Sequence, residues 1–193
     1  MDDKHDNQKR KMSMANLTVW KFETPEGAQD ALNKLIELSK QQLIQVQDAA
    51  VVSWPAGKKN PKTKNYGSMT GQGALSGAFW GMLFGLIFFV PFFGLAVGAA
   101  MGALAGKFQD YGISDEFIKQ VREKVTEGTS ALFLLSSGAV MDKIAPAFAG
   151  VKMELIQSNM STEQEAQLKE EFGAEQEVVA EAPAEAAPEA AAS

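Results

Sequence analysis

The chain contains no cysteine and a single histidine, His5. Without cysteine there is no disulfide, no thiol nucleophile and no thiolate metal site. His5 lies in a polar stretch of mixed charge, residues 1–14, which predicts a disordered tail that would not hold metal ligands in place. The usual nucleophile–base pairs are then reduced to Ser or Thr with Lys or a carboxylate, and no local motif marks one. We therefore expect a non-enzymatic protein with no metal and no cofactor.

Charge is absent from a long internal window. No charged residue lies between Lys64 and Lys107, although the whole chain has a formal net charge of −6. An uncharged apolar run of this length is typical of membrane-spanning helices. The acidic balance argues against non-specific binding to nucleic acid. No apolar segment follows the polar N-terminal stretch directly, so we expect no secretory signal.

Two glycine ladders occupy this window, and each repeats glycine at every fourth position. Such spacing places the glycines on one helix stripe, where small residues allow two helices to pack closely within lipid. Val90 and Pro91 separate the ladders and predict the turn of a helical hairpin. The hairpin-packing residues are Gly73, Gly77, Gly81, Gly85, Gly94, Gly98, Gly102 and Gly106.

The two arms of this hairpin are short for a membrane. Residues 73–90 reach roughly 27 Å and residues 91–106 roughly 24 Å at about 1.5 Å per residue, whereas a bilayer core is about 30 Å thick. The arms would therefore span with local thinning of the bilayer, or enter and return. The alternative is a hairpin buried inside a soluble protein.

Lysines flank the window on both sides. Lys58, Lys59, Lys62 and Lys64 precede it and Lys107 follows it. Because lysine and arginine mark the cytoplasmic side of a membrane, we expect both termini in the cytoplasm. The same five lysines are predicted to contact lipid headgroups. A nucleotide or nucleic-acid patch is the alternative, but no phosphate-binding loop accompanies them.

The flanking segments predict a small α+β domain. Residues 17–23, 46–54, 130–136 and 151–157 are typical of strands, and helical patterns follow the first and third of these. We predict a ferredoxin-like βαββαβ head with a glycine-zipper transmembrane helical hairpin inserted between its second and third strands. The head comprises residues 15–56 and 108–173, the basic loop and hairpin residues 57–107, and a disordered acidic Ala/Glu/Pro tail residues 174–193.

Several of these segments together resemble a known family. They are 48–52 (DAAVV), the glycine-ladder hairpin, 128–133 (GTSALF) and 160–168 (MSTEQEAQL). In order and spacing they resemble the bacterial predicted-membrane-protein family called domain of unknown function twelve-sixty-nine, over about residues 17–172. The resemblance implies a protein of the bacterial cell membrane, so with the lysine pattern we expect a location in the bacterial inner (plasma) membrane with both termini cytoplasmic. It implies no activity and brings no catalytic residues.

Three functions are consistent with these patterns. The first is a non-enzymatic membrane anchor, which sits in the lipid bilayer, self-associates through its glycine faces into a homo-oligomer and presents the head to an unknown protein partner. The second is an oligomeric pore-forming or membrane-remodelling protein. The third is a soluble ligand-binding protein whose head uses an apolar pocket. None of them binds nucleic acid.

Overall fold

A five-stranded antiparallel sheet forms the centre of the protein. The computed structural model describes residues 16–68, 77–89, 112–164, 166 and 168. The strand order across the sheet is β3-β2-β4-β1-β5, and every neighbouring pair is antiparallel. The strands are β1 (Asn16–Phe22), β2 (Gln45–Ser53), β3 (Lys62–Ser68), β4 (Ser130–Ser137) and β5 (Met153–Ser158).

Helices cover both faces of this sheet. On the first face lie α1 (Gly27–Lys40), the short α4 (Met141–Ile144) and the 3-10 helix Ala145–Phe148. On the second face lie α2 (Gly77–Phe84), the π-helical segment Gly85–Phe89 that continues it, and α3 (Asp115–Lys124). All eight residues of β4 are buried, as expected for a central strand with apolar layers on both sides.

A cluster of aromatic side chains packs α2 against the sheet. The Trp80 ring stacks on Phe84 with centroids 5.6 Å apart and meets Phe133 of β4 edge-on at 5.9 Å. The Trp80 indole also donates a hydrogen bond to the buried carboxylate of Asp48 on β2, at 3.2 Å. Packing of large rings adds to the area that they bury, so α2 is an integral layer of the fold.

The end of the π-helical segment is held by an arginine from α3. Arg122 donates from Nε to the carbonyl of Ile87 at 2.7 Å, and from Nη2 to the carbonyl of Leu86. The segment and α3 are therefore joined by hydrogen bonds as well as by apolar contact.

The predicted fold class is wrong in two respects. First, part of the stretch expected to be a basic loop forms β3, which pairs with β2 from Asp48↔Ser68 to Ser53↔Lys62 and adds a fifth strand. Second, no inserted helical hairpin is seen between the predicted second and third strands. The described part of the first arm packs on the sheet. Six of its large side chains are at most 5% exposed there: Phe79, Trp80, Leu83, Phe84, Leu86 and Ile87.

The physical reason is that the second sheet face supplies the apolar surroundings that residues 77–89 of the uncharged run require. The second arm lies outside the described residues. Among the residues that are described, no helix combines the length and the apolarity needed to cross a membrane. The predicted transmembrane helices and glycine zipper, and the predicted location in the bacterial inner membrane with both termini cytoplasmic, are contradicted by this finding.

Candidate functional site

A cavity of about 90 Å³ lies between the first face of the sheet and α1. Its floor is formed by Trp20 of β1 and by Leu132 and Leu134 of β4, and its wall by Leu35 and Ile44. All five side chains are at most 8% exposed. The site is therefore an apolar pocket within the core, of the kind in which proteins bind small molecules.

The cavity exists because the two crossovers on this face differ in length. Between β1 and β2 the chain forms α1, which has 14 residues and buries Ala28, Ala31, Leu32, Leu35 and Leu38. Between β4 and β5 it forms only four residues of α4 and four of the 3-10 helix. The shorter crossover covers less of the sheet, and the pocket lies in the space between it and α1.

The pocket opens at the end of the sheet where β1 begins and β4 ends. Gly138 and Ala139, which follow β4, are exposed and line the opening. Asn16, Met141 and Met160 are half-buried around it. Methionine side chains are flexible and adapt to irregular shapes, so the rim suits ligands of more than one outline.

Two buried hydroxyls line the same end of the pocket. Thr18 is 5% exposed and Ser136 is 8% exposed. The Trp20 indole nitrogen donates to Thr18 Oγ1 at 3.1 Å. Within the described residues, the Ser136 hydroxyl makes no side-chain hydrogen bond and the Thr18 hydroxyl has no acceptor. Buried polar groups are usually satisfied, so these two hydroxyls are available to a ligand.

The described lining contains no charged side chain. A carboxylate or ammonium taken into such a pocket would lose its hydration without gaining an opposite charge, which is costly. No group of three or more metal-ligating side chains occurs in the described part of the chain either. The arrangement therefore favours uncharged organic ligands.

A second, wider groove of about 620 Å³ lies beside the far end of the pocket. The two share Phe22, Ala31 and Phe148 as lining residues. Charged side chains line this groove, and three of the four contact other groups of the protein. Lys34 donates to the carbonyl of Ala147 at 3.1 Å, and Lys152 pairs with Glu23 at 3.5 Å. The smaller apolar pocket is thus the stronger candidate.

The structure places three of the predicted packing glycines on α2 and the π-helical segment. Gly77 and Gly81 are exposed and Gly85 is half-buried. A methyl group built at any of the three meets no atom of the described chain within 4 Å. Self-association through these glycines stays a prediction. The other predicted residues of the hairpin lie outside the described residues: Gly73, Gly94, Gly98, Gly102, Gly106, Val90, Pro91 and Lys107.

The predicted lysines lie together at the β3 edge of the sheet. Lys58 and Lys59 are in the β2–β3 turn, Lys62 and Lys64 are on β3, and all four are exposed. The Lys64 ammonium lies 4.6 Å from the centroid of the Tyr66 ring. None of the four lines the pocket, and their contact with lipid headgroups stays a prediction. Charged side chains on an outer strand also hinder edge-to-edge pairing with other chains.

Sequence reasoning left open an apolar pocket in the head, but it did not locate the pocket or identify its two hydroxyls. The available signal was a polar residue inside an apolar strand pattern. Thr18 interrupts the run that contains Leu17 and Val19, and Ser136 ends the run ALFLL of β4. Both residue types are common in exposed strand positions, so burial was not evident from the pattern alone.

A family model described as "Protein of unknown function (DUF1269)" matches residues 74–173, which is just over half of the chain. The comparison with curated proteins finds no match, and neither does the comparison with solved structures.

Proposed function

The chain belongs to the DUF1269 family of unknown function, and since that membership assigns no activity, we propose from the pocket that the protein is a binding protein for small uncharged molecules. The observation that carries this proposal is the apolar cavity of about 90 Å³ between α1 and the sheet. It agrees with one function that the sequence left open, a ligand-binding protein with an apolar pocket in its head.

The size of the pocket limits the ligand. An engineered cavity of roughly 150 Å³, lined by Leu, Ile and Phe, takes up benzene. A pocket of about 90 Å³ encloses a smaller molecule, or the end of a longer one that extends through the mouth beside Gly138. The ligand class is therefore a short hydrocarbon chain with at most one polar group.

Binding without catalysis is part of this proposal. General acid–base catalysis needs a titratable group within hydrogen-bonding reach of the reacting atom. The described lining offers hydroxyl, amide, indole and thioether groups but no carboxylate, imidazole or ammonium. The geometry supports retention of a ligand, and nothing that we describe in the pocket would activate it for reaction.

Titration with n-pentane, followed by methyl NMR, tests the proposal. We expect saturable shifts at the methyl groups of Leu132 and Leu134. Ala31→Leu adds volume from α1 into the pocket and should abolish them. Ala78→Leu makes the same change on the exposed face of α2 and should leave them intact. Absence of saturable shifts in the unmodified protein would overturn the proposal, whatever the stability of the variants.

A further inference from the structure

The polar end of the pocket restricts the ligand further. In β1 and β4, Asn16 pairs with Ser136 and Thr18 pairs with Leu134. Thr18 and Ser136 are thus diagonal neighbours on the same sheet face. Diagonal neighbours are about 7–8 Å apart, and less between Cβ atoms. Two hydroxyls at this spacing can be bridged by one ligand oxygen, because each O–H···O bond is about 2.7–2.8 Å long.

The Trp20 indole determines how the Thr18 hydroxyl can hydrogen-bond to a ligand. Its N–H donates to Thr18 Oγ1, so it uses an acceptor position of that hydroxyl. The indole N–H is only a donor. The Thr18 proton therefore points elsewhere, and among the described residues it meets no acceptor. A hydroxyl that accepts one hydrogen bond donates a stronger one, because the two bonds polarise each other. The Thr18 hydroxyl is therefore a good donor to a ligand in the pocket.

Ser136 completes the pair. The residue is buried and lines the pocket. It forms no side-chain hydrogen bond with the described residues, so it can donate or accept. Leaving a buried hydroxyl without a partner costs free energy, whereas a ligand oxygen in this position would satisfy both hydroxyls. The neutral lining excludes a carboxylate as that oxygen, for lack of a counter-charge.

We infer that the ligand carries an uncharged acceptor oxygen, a hydroxyl or a carbonyl, on a short hydrocarbon chain, and that Thr18 and Ser136 bind this oxygen while the chain lies against Trp20, Leu132 and Leu134. This inference rests on the proposed function, because it needs the pocket to hold a ligand. It adds the chemical class of the ligand and the two residues that select it.

A matched pair of probes tests the inference. n-Pentane has the outline of 1-butanol with a methyl group in place of the hydroxyl. We define selectivity as the dissociation constant of n-pentane divided by that of 1-butanol, each measured by methyl NMR titration. Loss of one ligand hydrogen bond to a buried group corresponds to roughly a tenfold change in affinity. Thr18→Val and Ser136→Ala should each lower the selectivity about tenfold.

The outcomes separate the inference from the proposed function. Thr63→Val makes the same change as Thr18→Val at an exposed position of β3 and should leave the selectivity unchanged. If n-pentane binds but both pocket variants keep the selectivity of the unmodified protein, the assignment of the hydroxyls is overturned and the binding function stands. The same holds if the hydroxyls are satisfied by water alone, because 1-butanol would then gain nothing from them. If neither probe binds, the proposed function itself fails.

Discussion

The first prediction distinguishes a helix α2 that packs on the sheet from one whose large side chains face lipid. Leu83 is fully buried on the second face. Leu83→Ala removes three buried carbon groups, each worth about 0.8 kcal/mol, and the cavity left behind adds to the loss. We expect the free energy of unfolding to fall by about 2.5–4 kcal/mol. Domains are typically stable by only about 5–15 kcal/mol, so this loss is large.

The matched control lies on the other side of the same helix. Gly81 is exposed, and an added Cβ meets no described atom within 4 Å. Alanine is favoured over glycine inside a helix by about 0.8–1.0 kcal/mol. Gly81→Ala should therefore raise the free energy of unfolding by up to about 1 kcal/mol, opposite in sign to Leu83→Ala.

Urea denaturation followed by circular dichroism measures both changes, because the free energy of unfolding falls linearly with urea concentration. In a helix whose bulky side chains face lipid and whose glycines form the contact, Leu83→Ala would be mild and Gly81→Ala disruptive. A loss below about 0.5 kcal/mol for Leu83→Ala, together with a loss for Gly81→Ala, would refute the packing described above.

Three further substitutions test other contacts by the same urea method. Gly27→Ala should destabilise the protein by about 1–3 kcal/mol through overpacking, since its Cβ would lie 2.6 Å from Cβ of Phe22; an unchanged midpoint would contradict this close approach. Ser114→Ala removes the N-cap of α3 and should cost about 1 kcal/mol; no loss would show that the cap is unimportant. Arg122→Met removes both hydrogen bonds to the π-helical segment. It should cost about 1.5–3 kcal/mol and speed amide exchange in that segment; a neutral effect would exclude the role of Arg122 in holding it.

Four of the five strands follow directly from local pattern. The strands observed at Asn16–Phe22, Gln45–Ser53, Ser130–Ser137 and Met153–Ser158 begin and end within two residues of the predicted ranges. Alternating or continuous apolar residues specify such segments because burial requires them. The exception is β3, whose sequence KTKNYGS is polar and lysine-rich. An outer strand needs only backbone pairing along one edge, which leaves little trace in the side-chain pattern.

The uncharged run could not be assigned correctly from sequence because its chemistry suits two surroundings. Phe79, Trp80 and Leu83 are as compatible with lipid as with an apolar sheet face. The partner that decides between these surroundings is β4, whose Phe133 packs on Trp80 but lies more than fifty positions away in the chain. The pocket could not be located from local sequence either, because it depends on how much of one sheet face two crossover connections cover.

The central claim is that a small uncharged molecule occupies the pocket on the first face of the sheet, and ligand-to-protein NOEs in methionine-methyl-labelled protein test it most directly. Met141, Met153 and Met160 line the pocket, whereas Met82 packs against the other face. With 1-butanol as the ligand, we predict NOEs to those three methyl groups and none to Met82. NOEs to Met82 alone, or to none of the four, would contradict the account.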